Sequence, residues 1–187
     1  MAPTTLHLGS IPSPIGDLLV ATLRDAVCAI AFEGGEADAE RYLARRHGAI
    51  AKVPGRIPAH VRDALEGYFE GDLAAFDGIE VAAKGTAFQE RVWKALRTIA
   101  AGRTASYADI ARRIGQPTAV RAVGLANGQN PVPIIIPCHR IIGRDGSLTG
   151  FGGGLERKAW LLRHEGALDT LDLGDGCRLG GQALAVS

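Results

Sequence analysis

The chain has 187 residues, 47% of them hydrophobic and 22% charged, ordinary proportions for a globular protein that buries its core in one good domain or two small ones. No stretch approaches the roughly 18 uninterrupted apolar residues of a membrane span. The N-terminal "MAPTTLHLGS" has no basic region followed by an apolar one, so no signal peptide is expected and a cytoplasmic protein is. The net charge of +1 hides a division: Lys84 to Glu165 carries 13 Lys/Arg against 5 Asp/Glu, whereas Met1 to Ala83 carries 7 against 12. A basic second half fits a domain that faces a polyanion, and it equally fits a solvated surface.

Taken in chain order, Leu18 to Thr22 and Val27 to Phe32 read as strands joined by a turn at Arg24-Asp25, giving a small antiparallel sheet. "EADAERYLARRHG" and "AHVRDALEGYFEGD" read as helices, the second with Val61, Leu65, Tyr68 and Phe69 on one stripe. "GIEVAAKG" leads out of this unit as a strand or linker, placing a boundary near Ala83. "TAFQERVWKALRTIAAG" is a helix with a capping box at Thr86 and Gln89, a core stripe of Phe88, Val92, Leu96 and Ile99, and an expected end at Gly102. "SYADIARRIG", with Ser106 as N-cap and Gly115 as terminator, and "PTAVRAVGLANGQ", from Pro117 to Gly128, are two short helices around a tight glycine-containing turn, the pattern of a helix-turn-helix. "NPVPIIIPCHRIIG" follows as a turn and a short buried strand. A glycine-rich loop, "RDGSLTGFGGG", leads to a closing helix, "LERKAWLLRHEG", with Leu155, Ala159 and Leu162 inward and Gly166 capping it. The tail 167–187 lacks periodicity and is expected to be loose.

The three cysteines, Cys28, Cys138 and Cys177, suggest no disulfide framework and supply no CxxC pair for zinc. Cys28 lies inside a strand and reads as a small core hydrophobe. Cys138 is different, because His139 and Arg140 follow it. A thiol becomes a good nucleophile when an imidazole or a positive charge lowers its pKa. Successive side chains of a strand point to opposite faces, so His139 reaches the thiol only if the chain turns at Pro137. A relaying imidazole also needs an orienting acceptor, and Glu165 is the acidic candidate. A structural cysteine beside a surface His-Arg pair fits the same spacing.

The second helix of the pair is mostly Ala, Gly and Val, and only Arg121, Asn127 and Gln129 carry long polar groups. Small residues let a helix approach a groove closely, and few donors mean poor reading of base edges. That suits a protein that binds any sequence, and it also suits a helix that simply packs. "GFGGG" departs from G-x-G-x-x-G at Leu155, and no Walker sequence is present, so no nucleotide cofactor is expected.

"NPVPIIIPCHRIIG", together with "SYADIAR", "VRAVGLANG" and "LLRHEG", closely resembles the methylated-DNA–protein-cysteine methyltransferases, or O6-alkylguanine-DNA alkyltransferases. The resemblance is strong from Thr86 to Gly166 and looser over "SPIGDLLVA". It implies an α+β fold: a small N-terminal antiparallel sheet with helices at 1–83, ribonuclease-H-like in the family, then a mainly helical domain at 84–166 with a helix-turn-helix and a short active-site strand. It implies a single-turnover DNA-repair protein that flips O6-alkylguanine out of duplex DNA and moves the alkyl group irreversibly to a cysteine, with no cofactor. By motif, Cys138 corresponds to the acceptor, His139 to the base acting through a water, Glu165 to its orienting partner, and Asn130 to the hinge between helix-turn-helix and active site. Arg121 corresponds to the residue that fills the gap left by the flipped base, and Tyr107 to the one that crowds the phosphate. Ala122, Gly124, Asn127 and Gly128 fall at DNA-facing positions. Ile141, Phe151, Gly152 and Pro133 fall at the substrate pocket, with the Cys138 and Ile141 carbonyls directed at the guanine amino group and the Gly152 N–H near O6.

Two departures stand out. Many members carry a tyrosine where this chain has Phe151, so a hydroxyl donor is lost, and slower transfer or a roomier substrate range is expected. Some relatives bind zinc in the N-terminal part, whereas here Cys28, His7, His47 and His60 are scattered and no metal is expected. The implied partner is double-stranded DNA with alkylated guanine, bound through the minor groove with weak sequence specificity by a monomer, with no membrane association and with cooperative assembly on DNA an open question. A non-catalytic lesion sensor, a helix-turn-helix regulator and a cysteine hydrolase are the alternatives. The presence of Cys138 weighs against the first, and the bare second helix against the regulator.

Overall fold

The computed structural model describes residues 3–55 and 57–168; Cys177 and the rest of the tail lie outside them. The N-terminal part holds β1 (Thr4–Ile11), β2 (Leu18–Leu23), β3 (Ala26–Phe32), α1 (Glu36–His47), β4 (Ile50–Pro54) and α2 (Ala59–Glu70). The strand order is β3-β2-β1-β4. β2 and β3 pair antiparallel, as expected, with Arg24 taking a positive φ of 57° in their turn, and β1, which was not expected as a strand, pairs antiparallel with β2. β4, unread in the sequence, joins β1 in parallel. It is an exposed edge, and its Lys52 and Pro54 are residue types that discourage pairing with another chain. A register shift between Ala21 and Thr22 skips Cys28, whose thiol donates to the Ala21 carbonyl (3.2 Å). It is a core residue, as its neighbours suggested.

The sheet is covered on both faces. Leu6, Ala21, Cys28 and Ala29 pack with Leu43 of α1. The other face, with Leu18, Val20, Ile30 and Phe32, meets Val61, Leu65 and Tyr68 of α2. The same buried cluster continues into the C-terminal half through Val92, Trp93, Leu96, Ile110, Val123 and Ile134 to Ile136. The two halves therefore share one core, although the chain path divides near the linker after Ile79, where Val81 makes a single bridge to Val27.

The C-terminal half begins with α3 (Ala87–Leu96). Its capping box is present, with Thr86 accepting from the Gln89 N–H and the Gln89 side chain accepting from the Thr86 N–H. The helix ends at Leu96, six residues before Gly102. The Thr98 hydroxyl and N–H both take the Ala95 carbonyl (2.7 and 3.1 Å), tightening the last turn and closing the helix early. β5 (Ala105–Ser106) leads into α4 (Tyr107–Arg113), and α5 (Val120–Gly128) follows a turn in which Gly115 has a φ of 71°. Ser106 caps α4 in a second capping box, with Asp109. The Trp93 indole N–H donates to the Ala126 carbonyl (2.9 Å), fixing α5 to α3.

Cys138–Arg140 form one 3₁₀ turn, and the short strand β6 (Ile141–Ile142) pairs in parallel with β5 immediately after it. The cysteine thus precedes the strand instead of lying within it. Pro133 and Ile136 bridge each other and Ile134 has a φ of 74°, so the three isoleucines fold back in a tight turn. Helix α6 (Leu155–His164) closes the fold. The first two residues of the expected loose tail, Ala167 and Leu168, are buried with Ile142, Leu148, Ala159 and Leu162.

Candidate active site

Three prolines and an asparagine shape the turn that carries Cys138. Asn130 spans it from within: its Nδ2 donates to the Ile136 carbonyl (2.8 Å) and to Cys138 Sγ (3.0 Å), and its Oδ1 accepts from the Val132 N–H (3.0 Å). These bonds help hold Ile134, a buried β-branched residue, in a left-handed conformation that L residues avoid. The 3₁₀ turn after Pro137 then removes the strand alternation, so that Cys138, His139 and Arg140 are all buried.

Cys138 is 5% exposed. Burial pushes its thiol up to about 11, against the opposing pull of the Asn130 hydrogen bond and the positive charge of Lys158. The resting group is therefore a thiol. The lowering of the thiol's pKa that His139 and Arg140 suggested in the sequence is not what prevails: burial outweighs the neighbouring charges, and the side chain that touches Sγ is Asn130.

His139 Nε2 lies 2.9 Å from Glu165 Oε1. Burial holds the imidazole below its ordinary 6.5, so it is neutral. Glu165 is held well below the usual carboxylate range by hydrogen bonds from His139 and Arg140, which outweigh its own desolvation. An ionised carboxylate only accepts, so Nε2 carries the imidazole proton and Nδ1 is the free base. Nδ1 is buried and has no hydrogen-bond partner.

Glu165 holds more than the histidine. Arg140 donates from Nε to Oε2 and from Nη2 to Oε1, both at 2.8 Å, and from Nη1 to the Ile99 carbonyl at 2.5 Å. The Tyr68 hydroxyl donates to Oε1 at 2.8 Å. Arg140 therefore has a structural role, and Tyr68, read in the sequence only as core, is one of the links from the N-terminal half to the site.

Lys158 was not singled out in the sequence. It is fully buried, and its Nζ donates to the carbonyls of Ile141 and Thr149, both at 2.5 Å. Burial lowers its pKa to about 8, partly offset by Cys138. The signal was available: Lys158 falls three residues after Leu155 and four before Leu162, on the inward stripe of α6. The Ile141 carbonyl, expected to face a guanine amino group, already accepts this lysine.

The expected substrate-pocket residues surround the turn. Pro133 is buried within it, Gly152 is exposed, and Phe151 is half-buried with its ring edge-on to His139, centroids 6.4 Å apart. On the helix-turn-helix, Arg121, Ala122 and Gly128 are exposed, and the Tyr107 ring lies over Gly124, where an added Cβ would be 3.8 Å away. The Tyr107 hydroxyl is 3.5 Å from Thr149 Oγ1. Asn127 departs from expectation. It is 3% exposed, turned into the core with Oδ1 unpaired, because the helical period places it on the Val123 side of α5. The outer face carries Leu125 instead, 65% exposed, which the sequence reading passed over. Among the described residues no cluster of three or more His, Cys, Asp or Glu could hold a metal ion.

Residues 87–167 match the family described as 6-O-methylguanine DNA methyltransferase, DNA binding domain. The chain is 44% identical over 167 residues to a methylated-DNA–protein-cysteine methyltransferase of Salmonella typhimurium, covering 84% of this chain and 94% of that one. It is 45% identical over 168 residues to the Mycobacterium bovis protein of the same name, covering 90% and 97%. Among solved structures, that of Mycobacterium tuberculosis OGT in complex with DNA is similar with a TM-score of 0.73 at 45% identity, over 86% of this chain and 93% of that one. The O6-methylguanine-DNA methyltransferase of Pyrococcus kodakaraensis gives 0.67 at 26% identity, over 86% and 99%.

Proposed function

The chain belongs to the methylated-DNA–protein-cysteine methyltransferase family, and from that premise we propose that it repairs O6-alkylguanine in duplex DNA by moving the alkyl group to Cys138. The observation that carries the reading is the buried array of Cys138, held by Asn130, beside a neutral His139 whose free Nδ1 is backed by Glu165. In the transfer, Sγ attacks the alkyl carbon, the carbon–O6 bond breaks, and a thioether and an unmodified guanine result. The thiol proton leaves toward His139 Nδ1 through a water and passes from the imidazolium to the departing guanine anion, so the balance closes. The charge that forms on the imidazole lies against the Glu165 carboxylate, which supports general-base action in a dry site. A thioether has no facile leaving group, and the reaction ends after one turnover.

Access to the lesion requires the nucleotide to leave the duplex, which costs a few kcal/mol and less where the lesion already weakens pairing. We assign Arg121 to the gap left behind and Tyr107 to the adjoining phosphate. Arg121, Ala122, Leu125 and Gly128 form an exposed face with one cation, and the exposed Gln129, whose Oε1 accepts from Gln89, is the one long polar side chain beside it. Such a face supports minor-groove binding with weak sequence preference. Among the described residues no helix is long and apolar enough to cross a membrane. We place the protein in the cytoplasm, on chromosomal DNA.

The test is intact-mass analysis after mixing the protein with a duplex carrying O6-methylguanine. A gain of one methyl group, mapped to Cys138 and absent in Cys138→Ser, is the expected result. Lesion-selective binding without a mass gain would make the protein a sensor and overturn the acceptor role.

A further inference from the structure

The wall of the site facing Phe151 is built partly by the N-terminal sheet. Phe32, the last residue of β3, places its ring 5.6 Å from that of Phe151, tilted by 59°. Phe151 in turn presents itself edge-on to His139. The Arg157 guanidinium sits 5.3 Å from the centre of the Phe32 ring, within cation–π reach. It also donates from Nε to the Ile15 carbonyl (2.8 Å) and from Nη1 to the Gly153 carbonyl (3.1 Å). One side chain of α6 therefore joins the loop before β2, the glycine-rich loop and the aromatic pair. Gly153 lies where the rings meet: a Cβ there would come within 2.6 Å of Phe32 and 2.7 Å of Phe151. Only glycine lets the two rings close against the loop at this point. An open cleft lined by Pro14, Ile15, Gly154 and Trp160 borders the clamp, leaving room for the loop to move when the clamp is released.

We propose that Phe32 and Arg157 are positioning residues that fix how far Phe151 can retreat from His139, and so set the size of the alkyl group that Cys138 accepts. The proposal rests on the reading of Cys138 as the acceptor. Close-packed aromatic walls discriminate by overlap, and a wall braced from behind cannot yield to a larger group. Phe32 has no role in the proton relay, and its ring meets that of Phe151 and the Arg157 guanidinium, so its effect reaches the reaction through Phe151. A methyl group needs no displacement of the wall, whereas a benzyl group does.

The experiment measures single-turnover alkylation of Cys138 by intact mass, using duplexes with O6-methylguanine and with O6-benzylguanine. The unaltered protein is compared with Phe32→Leu, Phe32→Ala, Phe32→Tyr and Arg157→Gln. The benzyl-to-methyl rate ratio is expected to rise by about tenfold in Phe32→Ala and Arg157→Gln, the low end of what one pocket contact discriminates, and by less in Phe32→Leu. Phe32→Tyr, which keeps the ring, should hold the parent ratio. A purely structural loss would lower both rates together and leave the ratio unmoved. An unchanged ratio in Arg157→Gln and Phe32→Leu overturns the proposal even where Phe32→Ala fails to fold. No transfer by the unaltered protein overturns the acceptor reading, and this proposal with it.

Discussion

His139 Nε2 lies 2.9 Å from Glu165 Oε1, and both side chains are fully buried. That one contact fixes the tautomer of the imidazole and leaves Nδ1 as the base. Glu165→Gln keeps an acceptor but removes the charge that stabilises the imidazolium. Transfer to Cys138 should slow by about a hundredfold or more, the scale of general-base assistance. The Arg140 guanidinium would lose its buried counter-charge, so stability should drop by about 3–5 kcal/mol. Single-turnover kinetics and chemical denaturation of the same preparation check both effects. A rate within threefold of the parent (about 0.7 kcal/mol) would remove the relay role from Glu165.

The same pair makes the protein sensitive to acid. His139 is held below its ordinary 6.5 in the folded protein, and Glu165 below its ordinary 4.5. In both cases the unfolded chain binds protons first as pH falls, so stability declines with acidification. The decline should begin below about pH 6.5 and steepen below about 4.5, as the linkage of the two groups requires. Denaturant midpoints measured from pH 8 to 4 check it. In Glu165→Gln the lower part of the decline should flatten. Equal midpoints at pH 7 and 4.5 would contradict the buried neutral histidine.

Burial raises the Cys138 thiol to about 11, and Asn130 is the largest contribution in the opposite direction. Alkylation of Cys138 by a small reagent such as iodoacetamide should therefore keep rising with pH up to about 11, with no plateau near neutrality. Asn130→Ala should move that curve further up. It should also cost about 1–3 kcal/mol, because the Ile136 carbonyl loses its buried partner. A plateau near pH 7 would show a thiolate at rest.

Much of this arrangement was legible in the sequence. The capping box at Thr86, the N-cap at Ser106, the inward stripes of α2 and α3, and the paired helices follow from local chemistry and period, and the structure has them. β4 escaped because an exposed edge of five residues with Lys and Pro shows neither alternation nor β-rich composition. The end of α3 escaped because Thr98 closes it through its own hydroxyl, a competition that periodicity does not register. Cys138, His139 and Glu165 could be nominated by residue type. Their protonation could not, since it depends on burial that only the folded chain supplies. Asn127 was misjudged because a polar residue was read as outward although its helical phase points in, and Lys158, on the inward stripe of α6, was passed over.

Lys158 ties the carbonyls of Ile141 and Thr149 together inside the fold. Lys158→Met matches its length but donates nothing, so both carbonyls are left buried without this donor, at about 1–3 kcal/mol each. Because one carbonyl follows the Cys138 turn and the other precedes Phe151, we expect transfer to fall at least about tenfold, the change that a 1.4 kcal/mol rise in the barrier produces. Lesion-independent DNA binding should stay unchanged, since neither carbonyl belongs to α5. Transfer kinetics beside a gel-shift titration separate the two, and parallel loss of both would mean general unfolding.

The outer face of α5 makes the last prediction. Arg121 is its one cation and Leu125 its one large apolar residue. Removing Arg121 should weaken binding to any duplex and lower the salt dependence by up to about one counterion, because a cation seated in the groove lies between the phosphates of the two strands. Leu125→Ala should weaken binding with little change in salt slope, because an apolar contact releases no counterion. Leu125→Glu should weaken it most, by placing a negative charge against the backbone. Salt-titrated affinities on lesion-free DNA of two unrelated sequences read all three variants. Equal losses on both sequences are expected, whereas a loss confined to one of them would show that α5 reads bases and would revive a sequence-specific regulator.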